Sequence, residues 1–299
     1  MHLRKNDLNI PDNSLILEIG GGGNPFYRSD ILVDRFLDDE TGFNQRGRVP
    51  LVIDDRVIIQ ADGALMPFMD HQFKYVICSH VIEHVPVASI NEFIKEVNRV
   101  ASAGYYEAPS ILHEAIRDIP EHIWYVVCKS GVIHLCKKTS VSRWQPFLDP
   151  LFYDDDFGLL RNKYPELFYT GFEWQGSVQL QIHDNLDDLI SLYPPEWARK
   201  LISYNLEQIK RAKKIGKNKE LLKQFIPPIL LTLRQNMISS IKNRLLKPEV
   251  KHLHINWSDL VVCPICHSRL RIDLQSRKMV CEYCRKEYRI REDGIPSFI

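Results

Sequence analysis

The stretch LILEIGGGGNPF, residues 15–26, joins an apolar run to Glu18, then to four glycines and Asn24-Pro25. Glycines at the end of a strand let backbone approach a ligand, because no Cβ stands in the way. A triphosphate loop would finish in Gly-Lys-Ser or Gly-Lys-Thr, and this run has no lysine. A dinucleotide loop would read G-x-G-x-x-G and aim a helix at a pyrophosphate. Gly20, Gly22 and Gly23 miss that spacing, and Pro25 disfavours helical geometry at Asn24. Glu18 would repel a pyrophosphate and suits a cationic ligand. Gly21 and Gly23 fall outside any alternating glycine pattern. A second chemical feature lies near the other end, where Cys263, Cys266, Cys281 and Cys284 form two C-x2-C pairs 14 residues apart. Four thiolates at this spacing suit tetrahedral zinc. With every position filled by sulfur, the ion would fold the segment and do no chemistry. A redox role is weaker, since neither pair opens a helix of a thioredoxin-like unit.

Other residues are candidates by type and position. His80, Glu83 and His84 stand at i, i+3 and i+4 and could face one way if a helix starts there. Helix-start structure, a place near an acceptor site and a second metal site are all compatible with that spacing. Glu107 ends a short strand before Pro109 and is followed by Glu114, His122 and Trp124, with Gly104 placed in the preceding turn. Side chains at the carboxyl ends of strands in an open α/β sheet look into its cleft. Glu107 and His122 are therefore the candidate catalytic residues, histidine being suited to act as a base near neutrality. Loop-fixing hydrogen bonds would explain both equally well. Between Arg199 and Lys247 basic residues dominate, with seven Lys or Arg and one Glu in KRAKKIGKNKELLK. Such a run is a solvated face or an attraction for RNA, an acidic glycan or anionic lipid. Leu230, Leu233, Met237, Ile238, Ile241 and Leu245 recur at helical spacing. They give an apolar face for packing or for peripheral membrane contact.

The elements that must position these groups follow from patterning. The runs LILEIG, DILVDRF, RVIIQAD, FKYVICSH and VIHLCKK alternate with helical or irregular stretches such as INEFIKEVNRVA, the pattern of an α/β domain with a largely parallel sheet. Three zones are expected: an α/β domain over 1–145, a mainly helical insertion with the basic stretch over 146–256, and a cysteine-bearing domain over 257–299. At 299 residues and 44% hydrophobic content, the chain can bury a large core. Its 39 basic and 38 acidic residues select no charged partner by net charge. The start, MHLRKNDLNIPDNS, lacks an apolar signal segment, and no apolar run reaches about 18 residues, so a cytoplasmic location is expected. Cys78, Cys128 and Cys136 lie in apolar stretches and are expected to be buried small hydrophobes.

Two resemblances sharpen this reading. LEIGGGGNPF resembles the first motif of class I methyltransferases that use S-adenosylmethionine, a cationic amino acid joined to adenosine without phosphate. The segment from Asp62 to Val85 resembles later motifs of the methyltransferase type 11 family. The resemblance covers about residues 14–135 and implies a Rossmann-like class I methyltransferase sheet. It places Glu18 near the methionyl ammonium, and Gly20, Gly22 and Asn24 along the ligand. Asp34 would bond both ribose hydroxyls, and Asp62 the adenine amino group, with Gly63 and Ala64 beside the ring. Ser79 and His80 would lie at the end of the fourth strand. The short interval from Glu18 to Asp34 implies an abbreviated first helix or a loop. DLVVCPIC and YRIREDGIPSFI resemble the small zinc-ribbon family that activates tRNA and protein methyltransferases by pairing with their sheet. A ribbon on the same chain implies an activator in cis, with no separate one needed. The fourth strand reads CSHVIEHV and lacks the Asn-Pro-Pro-aromatic sequence common where amide or base-ring amines are methylated. A small-molecule or glycan oxygen acceptor is expected; a tRNA methyltransferase and a non-catalytic S-adenosylmethionine-binding scaffold are the rivals.

Overall fold

The computed structural model describes residues 8–37, 40–45, 49–141, 143, 145–192 and 255–299. The basic run and the apolar face between Leu230 and Leu245 lie outside the described residues. Strands β1 (Ile16–Ile19), β2 (Ile31–Asp34), β3 (Val57–Gln60), β4 (Tyr75–Ser79) and β5 (Ala103–Pro109) form a parallel array in the order β3-β2-β1-β4-β5. Strand β1, flanked on both sides, is buried at all four positions, which is why its apolar residues do not alternate with exposed polar ones and even Glu18 is buried. The glycine loop and the start of β2 follow without an intervening helix. Turns closed by Asn24 N–H to Gly21 O and Ser29 N–H to Phe26 O replace it, as the short interval implied.

The short helix α1 (Glu40–Gln45) follows β2. Helix α2 (Ile90–Val100) covers the sheet with Ile90, Phe93, Ile94, Val97 and Val100, an apolar stripe at helical spacing. Gly104 lies inside β5 rather than in a turn. A Cβ there would come within 2.5 Å of Val76 O and 2.9 Å of Trp174 Nε1, so its smallness lets β4 and the neighbouring strand close on β5. Helix α3 (Ile111–Arg117) starts where the Ser110 hydroxyl accepts from His113 N–H, and a hairpin of β6 (Trp124–Lys129) and β7 (Val132–Lys137) follows. Ser130 and Gly131 turn it with φ of 53° and 79°, the geometry that matches strand twist.

Helices α4 (Gln145–Phe152), α5 (Asp155–Lys163) and α6 (Pro165–Phe168) open the middle zone, read as mainly helical. Strands β8 (Tyr169–Gln175) and β9 (Gln179–His183) depart from it: β8 pairs antiparallel with β5, and β9 adds to β7. The edge of β5 needs a partner, and YTGFEWQ supplies Tyr169, Phe172 and Trp174, with Tyr169 and Trp174 buried. Helix α7 (Leu186–Ser191) follows. Cys78 and Cys136 are buried and Cys128 partly so, all three as thiols. Among the described residues no helix is long and apolar enough to cross a membrane.

The cysteine-bearing segment contributes β10 (Leu270–Asp273), β11 (Lys278–Cys281), β12 (Glu287–Ile290) and β13 (Pro296–Ser297). Its strands extend the same sheet into ten, through parallel pairing of Ser297 with Gln60 and a Phe298 N–H to Gln60 O bond of 2.8 Å. The sequence DGIP makes this turn: the Asp293 carboxylate accepts from Ile295 N–H, and Gly294 takes a φ of 83°. Leu260, Val261, Met279, Tyr288, Ile290 and Phe298 share one apolar cluster with Ile59, Met66 and Phe73.

His113 carries a titration consequence of burial. It is 5% exposed and stacks on Phe152 at 4.6 Å. Burial pushes its pKa down to about 3. A histidine neutral when folded binds protons only when unfolded, so this stability is complete above about pH 6.5 and is lost as pH falls towards 3. His113→Phe is expected to remove about 2 kcal/mol of that loss between pH 7 and pH 5. Urea unfolding at both pH values measures it, and an unchanged pH slope would refute a neutral buried His113.

Candidate methyl-donor site and cysteine cluster

A cavity of about 550 Å³ opens where the parallel strands end. Of the residues matched to S-adenosylmethionine by sequence, Glu18, Gly20, Asn24, Asp34, Asp62, Gly63, Ser79 and His80 line it; Gly22 and Ala64 do not. Glu18 is only 3% exposed and holds the glycine loop from behind: one carboxylate oxygen accepts from Phe26 N–H at 2.8 Å and Ser29 O–H at 2.5 Å. Burial raises its pKa against these donors. The two glycines outside the alternating pattern now have a cause. A Cβ on Gly21 would lie 2.8 Å from the Glu18 carboxyl carbon, and one on Gly23 would lie 2.7 Å from Val49. Gly20 has a φ of 68°, and a Cβ there would strike Val81 at 2.4 Å.

Asp34 closes β2, and its Oδ1 accepts from Phe36 N–H at 2.9 Å. Asp62 accepts from Ala64 N–H and pairs with Arg35 Nη1 at 2.7 Å, both side chains being substantially exposed. Sequence reasoning missed Arg35. Its place directly after the acid of a strand end was the available signal. Gly63 allows Phe93 of α2 to approach, since a Cβ would meet that ring at 2.6 Å.

His80 adopts a φ of 59°, a conformation that costs energy for a residue with a Cβ. Its Nδ1 lies 3.4 Å from Glu83 Oε1 and its Nε2 lies 3.4 Å from Glu107 Oε1. Burial opposes a charged ring here, but the two carboxylates outweigh it and raise the pKa to about 9. Burial likewise opposes the Glu83 carboxylate, while His80 holds its pKa down to about 2. Glu107 does not line the cavity. It is buried and also accepts from Tyr105 O–H at 2.7 Å and Ser79 O–H at 3.3 Å, so it positions His80. His122 does not line it either, although its neighbours Glu121 and Ile123 do. Its Nδ1 donates to Glu114 at 2.5 Å, and Lys138 joins Glu114 and Asp118 at 2.9 Å and 2.7 Å in the same buried network.

The residues fit S-adenosylmethionine. Asp34 and Asp62 at successive strand ends suit a ribose diol and an adenine amine, and the glycine loop that Glu18 holds leaves backbone free beside them. The fold and this cavity define a class I S-adenosylmethionine-dependent methyltransferase domain. The methyltransferase domain family matches residues 41–106, a stretch that begins after the glycine loop, and the Trm112p-like protein family matches residues 258–293. A UPF0434 protein of Pasteurella multocida is 47% identical over 41 residues, 14% of this chain and 67% of that one. A UPF0434 protein of Blochmanniella pennsylvanica is 40% identical over 40 residues, 13% and 71% of the two chains. Through its C-terminal segment the chain belongs to the family of these UPF0434 proteins. Among solved structures, the YcgJ protein of Bacillus subtilis is similar over 38% of this chain and 56% of its own, at 19% identity and a TM-score of 0.27. A SAM-dependent methyltransferase of Archaeoglobus fulgidus is similar over 46% and 58%, at 18% identity and a TM-score of 0.26. The chain thus spans a little over half the length of these two structures.

The four cysteines converge as their spacing predicts. Their sulfurs lie within 4.8 Å of one another, with Cys263 to Cys284 at 3.6 Å and Cys266 to Cys281 at 3.4 Å. A zinc tetrahedron with 2.3 Å bonds has sulfur edges of about 3.8 Å. Each knuckle closes in the same way: His267 and Arg285, one residue past the second cysteine, have φ of 53° and 62° and donate their N–H to Cys263 O and Cys281 O. His267 therefore serves the turn through its backbone. The Tyr288 hydroxyl lies 3.3 Å from Cys263 Sγ.

Proposed function

We propose that this chain transfers a methyl group from S-adenosylmethionine to an oxygen of a small-molecule or glycan acceptor, with the zinc ribbon stabilising the catalytic domain in cis. The convergence of Glu18, Asp34 and Asp62 on one cavity at the strand ends carries the donor assignment. S-adenosylmethionine supplies an activated methyl group when bound. The chain then has mainly to hold donor and acceptor in line. Asp34 would hold the ribose, Asp62 the adenine, and Glu18 the loop beneath the methionyl part. The end of β4 offers Ser79, His80 and Val81 to the cavity, and no side-chain amide that would accept from an amine. The ribbon would hold zinc through Cys263, Cys266, Cys281 and Cys284, leaving no open position for water.

Incubation with methyl-labelled S-adenosylmethionine and a panel of glycans, hydroxylated small molecules and tRNA tests the proposal. Label is expected in a base-stable ether on a glycan or small molecule. Label in tRNA alone would replace the acceptor assignment, and no binding of S-adenosylmethionine or S-adenosylhomocysteine by zinc-replete protein would refute the donor.

A further inference from the structure

Beyond the donor site and the ribbon, Glu83, His84 and His122 converge on one point. Their potential ligand atoms lie within 4.8 Å of one another, although His122 is 38 residues from His84. The two histidine rings meet edge to face with centroids 4.6 Å apart. Each ring is held at Nδ1 by an oxygen acceptor: His84 at 3.1 Å from Glu121 O, and His122 at 2.5 Å from the Glu114 carboxylate. Nδ1–H donation leaves Nε2 of both rings as a lone-pair donor, the orientation seen in metal-bound histidines with outer oxygen partners. The outer partner of His122 is fixed in turn, since Lys138, with its side chain 4% exposed, binds Glu114 and Asp118.

The third member supplies an independent indication. Glu83 is 1% exposed; its Oε1 faces His80 Nδ1 at 3.4 Å, while its Oε2 has no hydrogen-bond donor among the described residues. A buried carboxylate short of donors is costly, and a cation at this point would satisfy it. We infer that Glu83, His84 and His122 form a second zinc site, separate from the cysteines, with a coordination position open to an oxygen of the acceptor. Two nitrogens and one carboxylate oxygen are a donor set that zinc uses where it keeps a ligand position open. Ligand edges in such a site are about 3.3 Å for bonds near 2.0 Å, so the ion would draw the three side chains inward. His84, Val85, Glu121 and Ile123 line the same cavity as the donor-site acids. Metal binding is independent of the proposed function; the acceptor-oxygen role rests on it.

Elemental analysis of the full chain, purified with zinc and freed of loosely held ion, tests the site. Two zinc ions per chain are expected in the wild type, and one in His84→Gln and in Glu83→Gln with the ribbon intact. One zinc per chain in the wild type, or two retained in both variants, would overturn the inference. The wild-type count decides the matter even if a variant fails to fold. Cobalt substitution should show one ion with strong thiolate absorption and a second without it; thiolate absorption from both would also overturn it. Calorimetry with S-adenosylhomocysteine on the wild type separates the two readings. Two zinc ions without binding would remove the methyltransferase reading and leave the metal site standing.

Discussion

Replacing Cys281 with serine is expected to cause the largest loss of stability available from a single side chain in this protein. A structural zinc held by four thiolates contributes about 10–16 kcal/mol to the folding of its module, comparable with the roughly 5–15 kcal/mol net stability of a whole domain. Cys281 is fully buried, ends β11 and lies 3.4 Å from Cys266 Sγ. Loss of zinc from the four cysteines would release the ribbon, and the consequence would reach the methyltransferase domain because the ten strands are one sheet. The edge of β3 at Gln60 loses its bonds to Ser297 and Phe298. Val262 N–H loses Pro67 O, and the Gln72 side chain loses Leu260 O. An exposed edge beside uncovered Ile59, Met66 and Phe73 is a template for aggregation. The expected result is a sharp drop in soluble yield and in the melting temperature of the whole protein. A zinc-free Cys281→Ser protein that stays soluble and melts with the wild type would refute the structural role of the ribbon.

Asp34→Ala is the second large effect, and it concerns binding rather than folding. A carboxylate bonding both hydroxyls of a ribose contributes about 1.5–3 kcal/mol per bond. Loss of the pair is expected to weaken S-adenosylhomocysteine binding by at least about 100-fold. Asp34 also accepts from Phe36 N–H, so the alanine variant loses about 1 kcal/mol of stability as well. Asp34→Asn keeps an acceptor for that turn but removes the charge. It should therefore melt close to the wild type and still bind poorly. Calorimetry and thermal unfolding on both variants measure the two effects apart. Unaltered affinity in both would exclude Asp34 from the donor site.

The agreement between reading and structure is best where residue type has a local meaning. The apolar runs around β1 to β4 read as strands because each alternates with turn-formers, and INEFIKEVNRVA read as helix because its apolar residues repeat with helical period. The cysteine spacing was sufficient for the ribbon, since two knuckles bring their ligands together through short local turns. The agreement weakens where a contact joins distant parts of the chain. Tyr169–Gln175 lay within a zone of helical character, and only the free edge of β5 shows why it is a strand. Gly104 read as a turn glycine, whereas its smallness serves the packing of Val76 and Trp174.

The candidate chemistry divides along the same line. Glu18, Asp34 and Asp62 were recognisable because each stands at the end of a strand in the order that a parallel α/β sheet imposes. The cluster of His80, Glu83 and His84 was visible as a spacing, but its meaning was not. In the fold, His80 turns between Glu83 and Glu107, while His84 meets His122 from the loop before β6. No periodicity reports an encounter across that separation, because it depends on how the turn after β4 and the segment before β6 settle against each other. The order of strand-end acids, the glycines and the four cysteines belonged to the sequence, since their effects are short in range. The continuous sheet from ribbon to methyltransferase domain, the place of Glu107 outside the cavity and the convergence of Glu83, His84 and His122 belonged to the tertiary structure. Burial and partner geometry decide those features, and both arise only when distant segments pack.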